Sequence, residues 1–210
     1  MPRYELIAFD MDGTLVKERN SWGTLHRHFG TIELAMGNLK EYVKGRIDYA
    51  EFMRRDAALW HPFRPTMQQI TDVLSNYELM PYAAQVVKDL KSRGVKTAII
   101  TGGLNAMARS VAGRLGIEHV VANDLVCDAE GCLTGEEILN VDVVKKDEAL
   151  CNLTQKLHIP TAKCVAVGDS RYDITFLRCA GLGIAFNPDS ELLKHASVVV
   201  HDLRGILKYV

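Results

Sequence analysis

The sequence predicts an α/β fold: a parallel sheet with helices on both faces, interrupted after its first strand by a small helical insertion. Three observations carry this expectation. From Pro81 onward, short apolar runs alternate with amphipathic helical stretches, the pattern of a parallel sheet covered on both sides. Residues 16–78 show helical periodicity and no strand. Three of the apolar runs end abruptly in polar turns, Asp10-Met11-Asp12-Gly13-Thr14, Thr101-Gly102-Gly103 and Gly168-Asp169-Ser170-Arg171-Tyr172-Asp173.

Taken in order, Leu6-Ile7-Ala8-Phe9 is a short apolar run bounded by two acids and Gly13, which favours a buried strand over a helix. Trp22, Leu25 and Phe29 then share one helical face, and Ile32, Ala35, Met36, Leu39 and Val43 recur at three and four residues. Asp48 reads as an N-cap with Glu51 as its capping-box partner, opening a helix that carries Tyr49, Phe52, Met53 and Trp60. His61-Pro62-Phe63-Arg64-Pro65 ends it, and Thr66 caps a helix with Ile70, Val73, Leu74 and Tyr77. Pro81 suits the first turn of the next helix and Gly94 its C-terminal cap. A strand from Val95 to Thr101, a helix to about Leu115 closed by Gly116, and a strand with hairpin over 120–137 follow. After a helix from roughly Val143 to Leu157 come the strand Cys164–Val167, a short helix with Ile174, Phe176 and Leu177, and two strands near Gly183–Phe186 and Ser197–Val200. Asp202 caps a last helix. The expected organisation is a Rossmann-like core of residues 1–15 and 79–210, with a helical cap over 16–78.

At 210 residues, 48% apolar and 24% charged, the chain has the composition of an ordinary globule with a sizeable core. A net charge of -1 gives no general attraction to nucleic acid or to a membrane surface. No stretch approaches the roughly 18 apolar residues that a membrane span needs, and no leader precedes the first strand, so a cytoplasmic location is expected. Five cysteines, an odd number without a C-x-x-C pair, predict reduced thiols, Cys127 and Cys132 flanking a turn among them. The seven histidines lack ligand spacing and are assigned to surface or core. The oligomeric state is left open.

In open α/β sheets, ligands bind beyond the carboxyl ends of the strands. Asp10 and Asp12 stand there, able to hold a divalent metal and still leave one oxygen for chemistry. A calcium loop of the EF-hand kind is excluded, because Thr14 and Ser21 stand where it needs an acid or amide and a glutamate. Thr101-Gly102-Gly103, Gly168-Asp169 and Lys145-Lys146 are each weak alone. Together, in this order and on these structural contexts, they resemble the four-part signature of the haloacid dehalogenase-like superfamily from end to end. The nearest likeness is to its phosphoserine phosphatase branch, carried by the helical insertion, the Thr-Gly-Gly turn, Lys146-Asp147-Glu148 and the closing segment 202–209.

That resemblance implies a magnesium-dependent phosphatase acting on a small phosphorylated metabolite. Asp10 would be the nucleophile, forming an aspartyl-phosphate, and Asp12 the general acid and then base. Asp10, Asp12 through its backbone carbonyl, and Asp169 would hold Mg2+, with Asp173 behind them. Thr101, Gly102 and Lys146 would hold the phosphoryl oxygens. A phosphotransferase or mutase, and a non-catalytic phosphate sensor, are the alternatives. Three positions depart from the branch: Arg19 stands where it has a glutamate, Asp56 where it has an arginine, and Tyr172 where asparagine is frequent. Glu18, Arg54 and Arg55, each adjacent to a departed position, become the candidate substrate contacts. Trp22, Tyr49, Trp60 and Phe63 are weighed as pocket lining against the commoner alternative of core.

Overall fold

The computed structural model describes residues 3–210. Its centre is β1 (Leu6–Phe9), whose four side chains are all buried because the strand is covered on both faces. The alternation of strand side chains divides them: Ile7 and Phe9 join one apolar layer, Leu6 and Ala8 the opposite one. Between β1 and the next strand lie α1 (Ser21–His28), α2 (Ile32–Val43), α3 (Tyr49–Ala58), α4 (Met67–Leu74) and α5 (Ala83–Ser92). Then follow β2 (Lys96–Leu104), α6 (Asn105–Leu115), β3 (His119–Cys127), β4 (Leu133–Ile138) and α7 (Lys146–Leu157). β5 (Cys164–Gly168), α8 (Ile174–Cys179), β6 (Leu182–Phe186), α9 (Ser190–Leu193) and β7 (Val198–Val200) complete the chain before a short 3-10 segment, Leu203–Lys208.

The sheet has the order β4-β3-β2-β1-β5-β6-β7. All neighbours run parallel except β3 and β4, which form an antiparallel hairpin at one edge. β1 pairs with β2 on one side and β5 on the other, with Phe9 level with both Ile99 and Val167. The three strands that end in polar turns are therefore adjacent, and those turns emerge at one end of the sheet. The chain reverses its direction of travel across the sheet at this point, where a crevice opens in such topologies.

Several boundaries differ from the sequence expectation, each for a local reason. β2 does not stop at Thr101 but runs through both glycines to Leu104, with an irregularity against β3 between Ile100 and Leu104. α7 begins at Lys146 rather than near Val143, because Val141–Lys145 is spent in a turn in which Asp142 accepts the N–H groups of Val144 and Lys145 through its side chain and backbone. The helix expected to begin at Pro81 starts at Ala83, after Tyr82 in the left-handed region at φ 67°. Asp48 does cap α3 through the N–H of Glu51, but the Glu51 carboxylate turns outward to Arg54 and Arg55 instead of completing a capping box. The full box appears at α4, between Thr66 and Gln69. The apolar repeat of α2 does not enter the core: none of its residues is buried, and Leu34, Met36 and Val43 are more than 60% exposed.

Backbone pairing ties the segment 16–78 at its stalk and at the β3–β4 hairpin, and Ser21 and Trp22 add side-chain bonds to Asp12, Leu104 and Gly102. At its ends Lys17 N–H bonds Glu78 C=O at 2.9 Å, and Met80 N–H bonds Leu15 C=O at 2.8 Å. Midway, Met67 N–H bonds Gly131 C=O and Leu133 N–H bonds Pro65 C=O, fastening it to the β3–β4 hairpin, where Arg64 also pairs with Asp128 at 3.0 Å. Trp60 is fully buried beneath α1, its ring 5.4 Å from Trp22 and 4.8 Å from His26. Among the described residues all five cysteines are free thiols, and no helix is long and apolar enough to cross a membrane.

Thr66→Ala removes one half of the α4 capping box and should lower stability by about 1 kcal/mol, read as a lower urea midpoint at unchanged slope.

Candidate active site

Asp10 follows directly on β1, and its N–H bonds Val167 C=O at 2.8 Å, so sheet pairing fixes the first carboxylate against β5. The chain then turns tightly, with Met11 C=O accepting the N–H groups of Thr14, Leu15 and Val16. Gly13 sits in this turn at φ 79°, and a Cβ there would lie 2.4 Å from Asp169 Oδ2. Glycine therefore serves twice at this position: it permits the left-handed backbone and lets the acid from β5 close in.

Lys146, the first residue of α7, is buried with its ammonium 2.7 Å from Asp10 Oδ1 and 2.6 Å from Asp173 Oδ1. Burial alone pulls its pKa down, but Asp10 and Asp173 more than offset that, and it stays firmly protonated. The second oxygen of Asp173 accepts from the N–H groups of Asp169 and Ser170 at 3.1 and 3.0 Å. Asp173 thus holds both the lysine and the turn after β5. Burial, with the charge of Asp10 and then of Asp173 added, pushes Asp169 up to about 8.

Asp10, Asp169 and Asp173 each present a carboxylate oxygen within 4.8 Å of the others, all buried. A hard divalent cation suits such an all-oxygen donor set. Four acids meet here, Asp12 included, against the ammonium of Lys146 and the largely exposed guanidinium of Arg19, 3.9 Å from Asp169 Oδ2. The charge balance of the residues fits a cation between Asp10 and Asp169, the two whose oxygens are least committed to protein donors.

Asp12 differs from its neighbour. Its Oδ2 accepts from Ser21 N–H at 3.2 Å and Ser21 Oγ–H at 3.1 Å, while its Oδ1 is buried without a partner. Burial, then the charge of Asp10, raise its pKa to about 7, against the lowering effect of the Ser21 bonds. Ser21 Oγ in turn accepts Leu104 N–H at 3.1 Å, joining the start of α1, the acid and the end of β2. Gly103 leaves room for that junction, since a Cβ there would lie 2.7 Å from Ser21 Oγ and 2.8 Å from Asp12 Oδ2. Thr101 Oγ1 accepts Gly103 N–H at 3.0 Å, so its own hydrogen remains available to a ligand.

A cavity of about 360 Å3 opens over these groups, between the strand ends and α1–α3. Asp10, Asp12, Thr101, Gly102, Lys146 and Asp169 line it, as sequence reasoning expected of them as a set. Asp173 lies just beneath. Glu18, Arg54 and Arg55 are not brought to it: Glu18 accepts the N–H of Glu78, and both arginines pair with Glu51 on the outer face of α3. Asp56 and Arg19 line it instead. Of the four aromatic candidates, Trp22 and Tyr49 line the cavity, Trp60 is core, and Phe63 is 53% exposed against Phe29.

A model of haloacid dehalogenase-like hydrolases matches residues 4–181. The chain belongs to the haloacid dehalogenase-like hydrolase family. Among relatives in that family, a phosphoserine phosphatase of Idiomarina loihiensis is 32% identical over 207 residues, covering 96% of this chain and 91% of that one. A phosphoserine phosphatase of Methanocaldococcus jannaschii is 29% identical, covering 98% and 97%. A phosphoserine phosphatase solved as an analogue of its phospho-aspartyl intermediate superposes with a TM-score of 0.81 at 29% identity, covering both chains completely.

Two site residues escaped the sequence reading. Ser21 is a serine at a helix start, with nothing local to say that it meets Asp12. Asn123 is fully buried, donating to Gly102 C=O and Val141 C=O while accepting the N–H groups of Asn140 and Val141. It clamps the end of β2 to the loop that delivers Lys146, and only an unusual asparagine inside an apolar strand hints at this. Asn123→Ala should lower stability by about 2–3 kcal/mol, because the buried N–H and C=O of Val141 lose their side-chain partner, whereas Gly102 C=O keeps Trp22 Nε1–H; equilibrium denaturation measures it.

Proposed function

We propose that the protein is a magnesium-dependent phosphatase that hydrolyses a small phosphomonoester through a phosphorylated Asp10, with residues 16–78 as a cap over the site. The observation that carries this is the division of labour between two acids one residue apart. Burial raises both acids, Asp10 to about 6 and Asp12 to about 7, but Asp10 stands against the Lys146 ammonium, which favours its ionised form, whereas Asp12 has no cation on it and keeps one oxygen without a partner. That difference in partners divides the pair into nucleophile and proton donor.

In the proposed sequence a carboxylate oxygen of Asp10 attacks phosphorus, and the ester P–O bond breaks. Asp12 gives its proton to the departing alkoxide oxygen, releasing the alcohol. Asp12, now ionised, takes a proton from water as that water attacks the aspartyl-phosphate, which frees inorganic phosphate and restores Asp10. Lys146 and Thr101 offset charge on the phosphoryl oxygens, the lysine through the N–H that its two carboxylates leave over. Bound at Asp10 and Asp169, with the Asp12 carbonyl, magnesium would supply Lewis-acid stabilisation of the phosphoryl group. Asp173 acts by positioning: it aims Lys146 and stiffens the turn that presents Asp169. The relatives' names support a phosphatase, and their near-complete overlap with this chain supports the same architecture of core and cap. A sensor that only binds phosphate has no use for an acid with an unpaired oxygen, which favours catalysis.

Asp10→Asn should abolish magnesium-dependent release of p-nitrophenol from p-nitrophenyl phosphate while keeping the circular dichroism spectrum of the folded protein, at a lowered melting temperature because Lys146 loses one of its two carboxylates; retained turnover in that variant refutes the proposal. Asp12→Asn should slow alkyl phosphates by about 10²–10⁴-fold and the aryl ester far less, because nitrophenolate leaves without a proton. Comparing kcat/KM for the two ester types gives the readout, because it reports the phosphoryl-transfer step and not the later hydrolysis, which uses Asp12 for both.

A further inference from the structure

The cap face of the cavity contains a buried carboxylate that the phosphatase chemistry does not use. Asp56, on α3, is 2% exposed and lines the cavity. Its Oδ1 accepts Asn38 Nδ2–H at 2.7 Å. Its Oδ2 lies 3.2 Å from Nε2 of His26, in a contact not aligned as a hydrogen bond.

The protonation of His26 follows from its other neighbours. Trp60 Nε1–H, which can only donate, points at His26 Nδ1 at 3.2 Å, and Thr31 Oγ1 lies 2.8 Å from the same atom. Nδ1 therefore accepts, and the imidazole proton is on Nε2, an assignment made from the hydrogen-bond partners. Nε2 is the ring atom turned to Asp56. Among the described residues no lysine or arginine pairs with Asp56. The neighbouring arginines of α3 turn outward to Glu51, and Arg19 is beside Asp169.

Aromatic rings line the same cavity as this acid. Tyr42 stacks on Phe52 at 5.3 Å, Tyr49 lies within 6.0 Å of both, and Trp22 completes the set. A buried carboxylate with unfilled acceptor capacity, placed among aromatic faces, is the chemistry that binds a cationic nitrogen. A ligand carboxylate, by contrast, meets a like charge at Asp56.

We infer that the cap cavity selects phosphomonoesters of amino alcohols, with the cationic nitrogen of the alcohol received by Asp56 and the surrounding rings. This rests on the phosphatase reading above and adds the class of the alcohol. The nitrogen can be primary or quaternary; what the site reads is its positive charge, with no requirement for an α-carboxylate.

The test measures kcat/KM with magnesium for ω-aminoalkyl phosphates of two to six carbons against alkyl phosphates of matched length, and for phosphocholine against its neutral isostere 3,3-dimethylbutyl phosphate. The expected result is a preference of about tenfold or more for the cationic member of at least one pair, falling toward one in Asp56→Asn. Phosphoserine should be turned over less efficiently than phosphoethanolamine. Equal turnover of charged and neutral members at every length, a preference retained in Asp56→Asn, or phosphoserine leading phosphoethanolamine tenfold would each overturn the inference while leaving the phosphatase reading standing. The wild-type ratios decide the matter even if the variant does not fold. Absence of phosphate release from every ester, p-nitrophenyl phosphate included, would instead remove the phosphatase reading and the inference with it.

Discussion

The site depends on one buried ammonium. Lys146 stands between Asp10 and Asp173 at hydrogen-bond distance from each, and those three residues come from the end of β1, the start of α7 and the turn after β5. Taking a lysine and two carboxylates out of water is costly, and removing one member of such a group commonly costs about 3–5 kcal/mol because it strands the others. The arrangement therefore fixes the relative position of three elements that the sheet alone only brings near one another. It also sets the electrostatics: with Lys146 largely neutralised by its partners, Asp12 and Asp169 feel burial and like charge, and their pKa values rise. Asp10, Asp12 and Asp169 thus acquire different surroundings from a single side-chain type.

Much of this was legible in the chain. Buried parallel strands announce themselves as apolar runs, and a run that ends in acids and glycine marks the end of the sheet where ligands gather. The three strand ends are visible that way because each signal is local, whereas Lys146, weak alone, is reached only through the resemblance of the whole set to a family signature. What stayed hidden is what depends on the partner across the fold. Ser21 and Asn123 make their decisive bonds 9 to 83 residues away along the chain. Glu51 was read as a cap because its spacing from Asp48 is right, but two arginines on the next turn compete for its carboxylate and hold it. The sequence ends β2 at Thr101, whereas the strand runs on through two glycines that close packing requires, Gly102 against Val143 and Gly103 against Ser21 and Asp12.

The substrate contacts were misplaced for a related reason. Arg54 and Arg55 carry the charge expected at the cap, yet helical geometry turns them to the solvent side with Glu51, and the residue that faces inward is Asp56. The sequence shows Asp56 only as a departure from a pattern. The structure gives that departure surroundings: an amide, an imidazole that an indole holds from its other side, and a cavity that several aromatic side chains also line.

Fastening the helical segment at both its stalk and the β3–β4 hairpin makes it a bridge with two abutments rather than a flap on one hinge. Swinging it away as a body would break the backbone bonds at Pro65–Met67 as well as the Arg64–Asp128 pair. The span left without buried anchors is α2, whose Met36 and Leu39 face both cavity and solvent. The wall that α2 gives the cavity is therefore made of apolar side chains that solvent also reaches. Exchanging Met36 or Leu39 would reshape that wall without touching Asp10, Asp12 or Lys146.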